Sequence, residues 1–163
     1  MERPVRKPNR IPNYDYSTPG AYFITVCTKG KKCILGKIVG ASIARPPVAI
    51  LSPIGKIVES VILEIPVRYP AISVERYAIM PNHIHLLRQI NTDESGRAML
   101  APTISRVIQQ MKGVITKKIG QSIWQKLYHD HVIRGEADYL KIWQYIDNNP
   151  ARWQEDCFHI PDP

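Results

Sequence analysis

The sequence predicts an α+β domain with a ferredoxin-like βαββαβ order, in which an antiparallel sheet carries helices on one face and a C-terminal helix follows. Segments rich in aromatic and β-branched residues alternate with segments whose apolar residues recur at helical spacing. Two strand segments also meet at a Pro81-Asn82 corner, which is typical of a tight connection. A single domain is expected over residues 1–163, because this length suffices for one core and no linker interrupts it.

The composition is that of a basic globular protein. The formal charge is +8, the hydrophobic fraction is 44%, and no apolar run has membrane-spanning length. Three cysteines without zinc-like spacing indicate reduced thiols in a cytoplasmic protein. The positive charge favours a polyanionic partner such as nucleic acid, although many basic proteins have no such partner.

Residues 1–19 form a basic, proline-rich segment that cannot become a continuous helix, because proline removes donors and restricts its neighbours. Tyr14 and Tyr16 follow the basic residues and would suit stacking on unpaired bases. A disordered tail is the alternative. The basic side chains that would contact nucleic-acid phosphates are Arg3, Arg6, Lys7 and Arg10.

The first half of the chain is predicted to contain a strand, an irregular region and a helix. The helix begins at Ser52-Pro53, with serine as its N-cap, and ends at Pro66. The segments before it are a strand over 20–28, a turn over 29–32, a short strand or hairpin arm over 33–39 and an irregular connection over 41–52.

The second half completes the sheet and adds two helices. Gly120 and Pro150 are predicted to terminate these helices. In the last helix Tyr139, Trp143 and Ile146 follow helical spacing and would form its buried stripe. The predicted elements are strands over 71–80 and 83–90, a loop over 91–101, a helix over 103–119, a strand over 122–134 and a helix over 136–149.

His83-Ile84-His85 is the first candidate for chemistry. Alternation along a strand places both imidazoles on one face, with Cα atoms about 6–7 Å apart, so that they can converge on one metal ion. The alternative is structural, with one histidine capping the turn and the other packed in a core.

Tyr145 and Asn149 are the second candidate, since they lie one turn apart on one face of the last predicted helix. A carboxamide oxygen can bind a hard divalent ion, and a phenol becomes a useful nucleophile when a metal or a basic neighbour assists it. The alternative is a packing role for Tyr145 and a helix end at Asn149.

These motifs and several others occur in an order that resembles the REP-associated tyrosine transposases, which are single-tyrosine HUH transposases (HUH denotes His-hydrophobic-His). The resemblance extends over nearly the whole chain. It rests on Tyr14-Asp-Tyr16, Tyr22-Phe-Ile-Thr25, Met80-Pro-Asn-His-Ile-His85, Trp124-Gln125 with Asp130-His131-Val-Ile-Arg134, and Tyr145-Ile-Asp-Asn-Asn149-Pro150.

The resemblance implies metal-dependent cleavage and rejoining of single-stranded DNA through a 5′-phosphotyrosine. Tyr145 matches the nucleophile of the family, and Tyr128 is held in reserve because it also lies near a His-Asp-His cluster. The residues that would bind a divalent ion, Mg²⁺ or Mn²⁺, are His83, His85 and Asn149. The groups that would orient the ligands or position substrate are Asp130 and His131, because metal-bound imidazoles need an orienting acceptor.

The resemblance also implies binding of a DNA hairpin with an adjacent unpaired segment, by a monomer or a homodimer and without a membrane partner. Besides the N-terminal segment, the candidate DNA contacts are Lys112, Lys117 and Lys118, for which a solvated helix face is the alternative. Two other functions stay open: a host-adopted nicking enzyme without transposition, and a non-catalytic ferredoxin-like nucleic-acid-binding module. A structural zinc protein is excluded by the cysteine spacing.

Overall fold

The computed structural model describes residues 13, 19–40, 45–92 and 103–161, and these form an α+β domain as predicted. The strands are β1 (Gly20–Cys27), β2 (Gly36–Val39), β3 (Val48–Leu51), β4 (Ile72–Met80), β5 (His83–Ile90) and β6 (His129–Val132). The helices are α1 (Pro53–Arg68), α2 (Ile104–Ile119) and α3 (Glu136–Asn148), with short 3-10 helices at Lys29–Lys31 and Pro150–Glu155.

A four-stranded antiparallel sheet organises the domain, in the order β4-β5-β1-β6. The sheet strands and the first two helices follow one another as βαββαβ, with the β2–β3 hairpin inserted before α1. β5 lies at the centre and aligns His83 with Cys27 on β1 and with Met80 on β4. A β-bulge interrupts the pairing of β4 between Val74 and Arg76.

One face of the sheet carries the hydrophobic core, against which α1 and α2 pack. The residues that the sheet contributes alternate along its strands, as the two-residue period requires. The core residues of the two central strands are Tyr22, Ile24, Val26, Ile84, Leu86 and Ile90, and those of the helices include Val58, Ile62, Val107, Ile108 and Ile115. Arg88 lies on this face too and is fully buried.

The opposite face carries the histidines and is partly covered by α3. Arg76 fixes α3 against the edge strand, since its Nε donates to Asp147 Oδ1 at 2.6 Å and its guanidinium lies 4.9 Å from the Trp143 ring centroid. Ile146 is the buried residue of this helix, whereas Tyr139 and Trp143 are half-buried, with ring centroids 5.9 Å apart and planes inclined by 38°. The predicted three-residue buried stripe is therefore reduced to Ile146.

Three predicted boundaries were wrong. Val48–Leu51 is a strand paired with β2, so the region predicted as irregular contains a hairpin whose second strand has only four residues. Helix α1 continues past Pro66 to Arg68: Pro66 removes one N–H donor from the last turn, but the Tyr69 N–H still donates to the Ile65 carbonyl at 2.8 Å. β6 covers only His129–Val132, since the residues before it approach β1 through a single bridge between Thr28 and Trp124. Within the described residues, no helix combines the length and the apolar character needed to cross a membrane.

Candidate metal centre and tyrosine site

The β4–β5 turn brings His83 and His85 onto the face opposite the core, and their rings converge. Their Nε2 atoms lie 3.0 Å apart, and the side chains are 0% and 1% exposed. Ile84 lies between them in sequence and belongs to the core on the other face. Two imidazole nitrogens thus meet at one point on one face of the strand, as the strand period predicted.

Each imidazole is oriented through its other nitrogen. His83 Nδ1 donates to Asn82 Oδ1 at 2.8 Å, and the Asn82 amide is fixed in turn because its Nδ2 donates to the Phe158 carbonyl at 2.7 Å. His85 Nδ1 lies 2.8 Å from Thr25 Oγ1 on β1. Such partners hold the rings of metal-binding histidines in place and leave Nε2 directed at the ion.

Two oxygen-bearing residues reach the same point from the end of α3 and the segment that follows. Asp156 Oδ2 lies 3.7 Å from His83 Nε2 and accepts a hydrogen bond from Asn149 Nδ2 at 3.0 Å. The second carboxylate oxygen of Asp156 accepts from the Phe158 backbone N–H at 2.8 Å. Asn149 Oδ1 is buried and has no hydrogen-bond partner among the described residues.

The donor set fits a divalent cation. One ligand atom from each of His83, His85 and Asp156 lies within 4.8 Å of the others, and the unpaired Asn149 Oδ1 adds an oxygen. Burial lowers the pKa of His83 to about 4, against an opposing effect of Asp156, and burial lowers the pKa of His85 well below its usual value. Both imidazoles are therefore neutral near pH 7, which is the form that binds metals.

Tyr145 lies beside this centre on α3. Its ring centroid is 5.3 Å from that of His85 and 6.0 Å from that of Phe23, and the residue is 39% exposed. Burial and the nearby Asp156 carboxylate raise the pKa of the phenol to about 12. The phenol is therefore protonated near neutral pH, so that attack on a substrate would require a neighbouring positive charge.

The segment after α3 covers the imidazoles. The Phe158 ring lies 4.6 Å from the His83 ring and 6.3 Å from the His85 ring, and Trp153 lies 6.0 Å from His83, as centroid distances. The segment thus supplies Asp156 to the centre and aromatic cover above it.

Comparison with known proteins finds a similar sequence of uncharacterized function and similar structures of transposases. No family model matches the chain. An uncharacterized protein of Haemophilus influenzae is 29% identical over 174 aligned positions that cover 95% of this chain and 93% of that protein. The structure of a REP-associated tyrosine transposase bound to a REP hairpin is similar over 82% of this chain and 67% of its own, with a TM-score of 0.60 and 19% identity. The chain has the fold of a tyrosine transposase.

A crystal structure of a proposed transposase from Deinococcus radiodurans R1 is also similar. It covers 87% of this chain and 98% of its own, with a TM-score of 0.50 and 16% identity. Both structures agree with the resemblance that the ordered motifs indicated.

Within this transposase fold, the Nδ1 atoms of the paired imidazoles meet Asn82 and Thr25 rather than Asp130 and His131. His131 Nε2 instead lies 2.8 Å from Asp138 Oδ2 at the start of α3. Asp130 pairs in register with Ile24, so alternation directs its side chain to the core face. The orienting acceptors predicted at these two positions are supplied by Asn82 and Thr25.

The remaining candidates are the reserve nucleophile and the basic residues predicted to contact DNA, and the structure places them in different environments. Tyr128 packs against the core, and its hydroxyl lies 3.0 Å from Ser105 Oγ, away from the histidines. Lys112 is held by the Gln125 carbonyl at 2.8 Å, and Lys118 pairs with Glu64 on α1 at 3.3 Å. Lys117 is exposed. The N-terminal candidates Arg3, Arg6, Lys7, Arg10 and Tyr14 lie outside the described residues.

Sequence reasoning missed Asp156, which stands seven residues after Asn149 in a segment without periodicity. An isolated carboxylate there carries no spacing signal, because a 3-10 helix rather than a regular helix brings it back to the site. Thr25 and Asn82 belong to the motifs that indicated the resemblance. Asn82 directly precedes His83, whereas Thr25 reaches His85 only through the pairing of β1 with β5, which the sequence does not specify.

Proposed function

We propose that this chain is a metal-dependent, single-stranded DNA transposase or endonuclease of the REP-associated tyrosine type, which cleaves and rejoins DNA through a 5′-phosphotyrosine. The observation that carries the proposal is the convergence of the His83 and His85 Nε2 atoms beside Tyr145, on a transposase fold. A centre with two neutral imidazole nitrogens lies here next to an accessible phenol. This arrangement is more typical of a catalytic metal site that acts on phosphate than of a structural metal site.

In this proposal His83, His85, Asp156 and Asn149 would hold the divalent ion. When bound, the ion supplies positive charge to the phosphate and the phenol. Thr25 and Asn82 keep the two rings oriented, and their hydrogen bonds are already formed. The mixed nitrogen and oxygen set is at least as suitable for Mn²⁺ as for Mg²⁺, because Mg²⁺ prefers oxygen ligands and strict octahedral geometry.

Tyr145 is the proposed nucleophile. Its Oη would attack the scissile phosphorus and release the phenol proton to solvent. The phosphorus–O3′ bond would break, and the departing O3′ would take up a proton from solvent to become a 3′-hydroxyl. The 5′ side of the break would remain bound to Tyr145. The same hydroxyl, or one from another DNA end, can reverse the step, and no nucleotide cofactor is needed because the phosphotyrosine retains the bond energy.

The proposed substrate is single-stranded DNA with a short hairpin, the kind of ligand bound in the similar structure. The overall charge of +8 supports a nucleic-acid partner. The basic N-terminal segment and Lys117 remain the proposed DNA contacts. Lys112 and Lys118 are weaker candidates because each already has a partner. The three cysteines are free thiols, in keeping with the cytoplasmic location expected from sequence.

A host-adopted nicking enzyme would use the same centre and differ only in the fate of the 3′-hydroxyl. A non-catalytic nucleic-acid-binding module is the alternative of another class. It would not require the buried convergence of two imidazoles, a carboxylate and an unpaired carboxamide oxygen, which desolvates polar groups at a cost in stability. The geometry of the centre therefore favours the enzyme.

The test is incubation of the protein with oligonucleotides that carry repetitive hairpins of its host genome, in Mn²⁺ or Mg²⁺. A covalent protein–DNA adduct that survives denaturation is expected from the unmodified chain, and none from Tyr145→Phe or in chelator. Tyr139→Phe is the matched control, since Tyr139 is another half-buried tyrosine of α3.

Each other outcome identifies a different error. An adduct that persists in Tyr145→Phe would assign the nucleophile elsewhere, with Tyr128 the first residue to replace. Cleavage without any adduct would indicate water as the nucleophile. Tight hairpin binding without cleavage under all these conditions would favour the non-catalytic module.

A further inference from the structure

A cleft of about 250 Å³ opens directly beside the tyrosine and is not needed to hold the ion. It is lined by Phe23, Thr25, His85, Lys141, Ile142, Tyr145 and Phe158. Its walls combine aromatic and aliphatic surface with a single lysine, a composition typical of sites that take a planar group attached to an anion. Its volume is sufficient for one nucleobase with its sugar.

Lys141 is the one basic side chain among the described residues that line the cleft. It precedes Tyr145 by four residues on α3, so the two side chains lie on the same helix face, one turn apart. Lys141 is exposed and forms no direct ion pair with the described residues, unlike Lys118 on α2, although its charge interacts at longer range with Asp138. Its ammonium is therefore available to a phosphate that approaches Tyr145.

Phe23 supplies an aromatic surface on the sheet side of the cleft. One part of its ring stacks on His85, with centroids 5.1 Å apart and planes inclined by 28°, and the Tyr145 ring meets it edge-on. The residue is only half-buried, so part of the ring faces the cleft. An unpaired base could extend this stack, since base–aromatic stacking tolerates any base.

We infer that the cleft is a nucleotide subsite, which holds one unpaired nucleotide next to the scissile phosphate, with Lys141 on a phosphate and Phe23 against the base. The inference rests on the proposed function, because it takes single-stranded DNA as the ligand. It assigns Lys141 as a positioning residue that acts on the substrate beside Tyr145, in a cleft that His85 also lines.

The phosphate contact is tested in protein that carries Tyr145→Phe, so that binding is measured without cleavage. The probe is a fluorescent host-repeat hairpin with its unpaired flank, titrated at several salt concentrations. Lys141→Met should lower the slope of log affinity against log salt by about 0.7, the loss of one single-strand phosphate contact. Lys141→Arg should restore it. Lys56→Met is the matched control, because Lys56 is an exposed lysine of α1, which packs on the opposite face of the sheet.

The base contact is tested with an abasic site moved along the unpaired flank of the same hairpin. One position should weaken binding by roughly tenfold in protein with Phe23 and cause no further loss in Phe23→Leu, which keeps the apolar volume but not the aromatic face. Circular dichroism of each variant establishes that the fold is retained.

Equal salt slopes for Lys141→Met and Lys56→Met would overturn the phosphate assignment. If an abasic site at every position weakened binding to Phe23→Leu as much as it weakens binding to protein with Phe23, the assignment of Phe23 to the base would be overturned. Neither measurement requires cleavage. An adduct assay that fails in the unmodified chain would therefore contradict the proposed reaction and leave the subsite to be decided by binding.

Discussion

The Nε2 atoms of His83 and His85 face each other across 3.0 Å, and the hydrogen-bond partners of the two Nδ1 atoms differ in what they can donate or accept. Asn82 Oδ1 can only accept, so His83 carries its proton on Nδ1 and presents a lone pair at Nε2. The Thr25 hydroxyl can donate or accept, so His85 can place its proton on either nitrogen. In the absence of an ion, the His85 Nε2 proton can bridge the pair, and an ion would take the place of that proton.

Metal binding should stabilise the fold, because the centre joins β5 to the segment after α3. At an ion concentration one hundred times the dissociation constant, the gain in unfolding free energy is about 2.7 kcal/mol. We expect Mn²⁺ to raise the melting temperature by roughly 5–10 °C for a domain of this size. Thermal unfolding with Mn²⁺ and then with chelator checks this, and a melting temperature unchanged by Mn²⁺ would contradict it. His85→Ala is expected to abolish the shift.

Replacement of Asp156 should weaken the metal site. Asp156→Asn removes the one carboxylate of the cluster and leaves an amide N–H₂ facing a donor, either Asn149 Nδ2 or the Phe158 backbone N–H. We expect Mn²⁺ affinity to fall at least about tenfold, measured by calorimetry. The control is Glu155→Gln, which removes an exposed neighbouring carboxylate. Equal affinities for the two variants would exclude Asp156 as a ligand.

Thr25 should influence the metal through His85 alone. Thr25→Val keeps the shape of the side chain and removes the oxygen 2.8 Å from His85 Nδ1. A loss of orienting partners costs roughly 10–100-fold in metal affinity. Titration with Mn²⁺ measures the loss, and Thr116→Val on α2 provides the matched substitution away from the centre. An affinity like that of the control would mean that packing alone orients the ring.

The buried position of Arg88 should lower the free energy of unfolding of the domain. It is fully buried on the core face, and none of its guanidinium nitrogens has a hydrogen-bond partner among the described residues; burial lowers its pKa to about 10. We expect Arg88→Met to raise the unfolding free energy by roughly 1–3 kcal/mol, because it removes unpaired donors from the interior. Urea denaturation compares it with Arg68→Met at the exposed end of α1. A decrease in stability would reveal a partner that compensates the charge.

The three thiols should react at different rates. Cys27 is buried, and burial raises its pKa to about 11, so its thiolate is scarce at pH 8. Cys33 and Cys157 are exposed. Mass spectrometry after brief iodoacetamide treatment should find two alkylated cysteines and an unmodified Cys27. Rapid modification of all three would indicate that β1 opens readily at its end.

The sequence predicted the structure best where a helix cap or the two-residue period of a strand depends directly on the residues present. Ser52 at the start of α1 accepts from Gly55 N at 3.0 Å, and Gly120 ends α2 in the left-handed conformation, both at the predicted places. The placement of His83 and His85 on one face followed from the strand period, and their Nε2 atoms lie 3.0 Å apart, whereas their role as metal ligands remains a prediction. The nucleophile and the Asn149 ligand came from resemblance, and they remain predictions for the adduct and metal assays.

The parts of the site that the sequence did not predict depend on contacts between distant parts of the chain. Asp156 joins His83 across more than seventy residues, through a 3-10 helix that has no apolar repeat to reveal it. Asp130 and His131 alternate correctly along β6, but nothing in their spacing shows that Asp138 is the residue that His131 meets. The choice among several possible partners is decided by how the helix after β6 docks, and short motifs contain no information about that docking.

The outer strands of the sheet bear on how copies of this chain could associate. β6 offers only four residues to a neighbouring strand, and β4 is interrupted by its bulge beside the charged Arg76 and contacted by the β2–β3 hairpin. Short, kinked or charged margins of this kind oppose the growth of one sheet into another. A continuous intermolecular sheet is therefore an unfavourable route to a dimer, and we expect that a homodimer of this chain, if it forms, would be held through another surface.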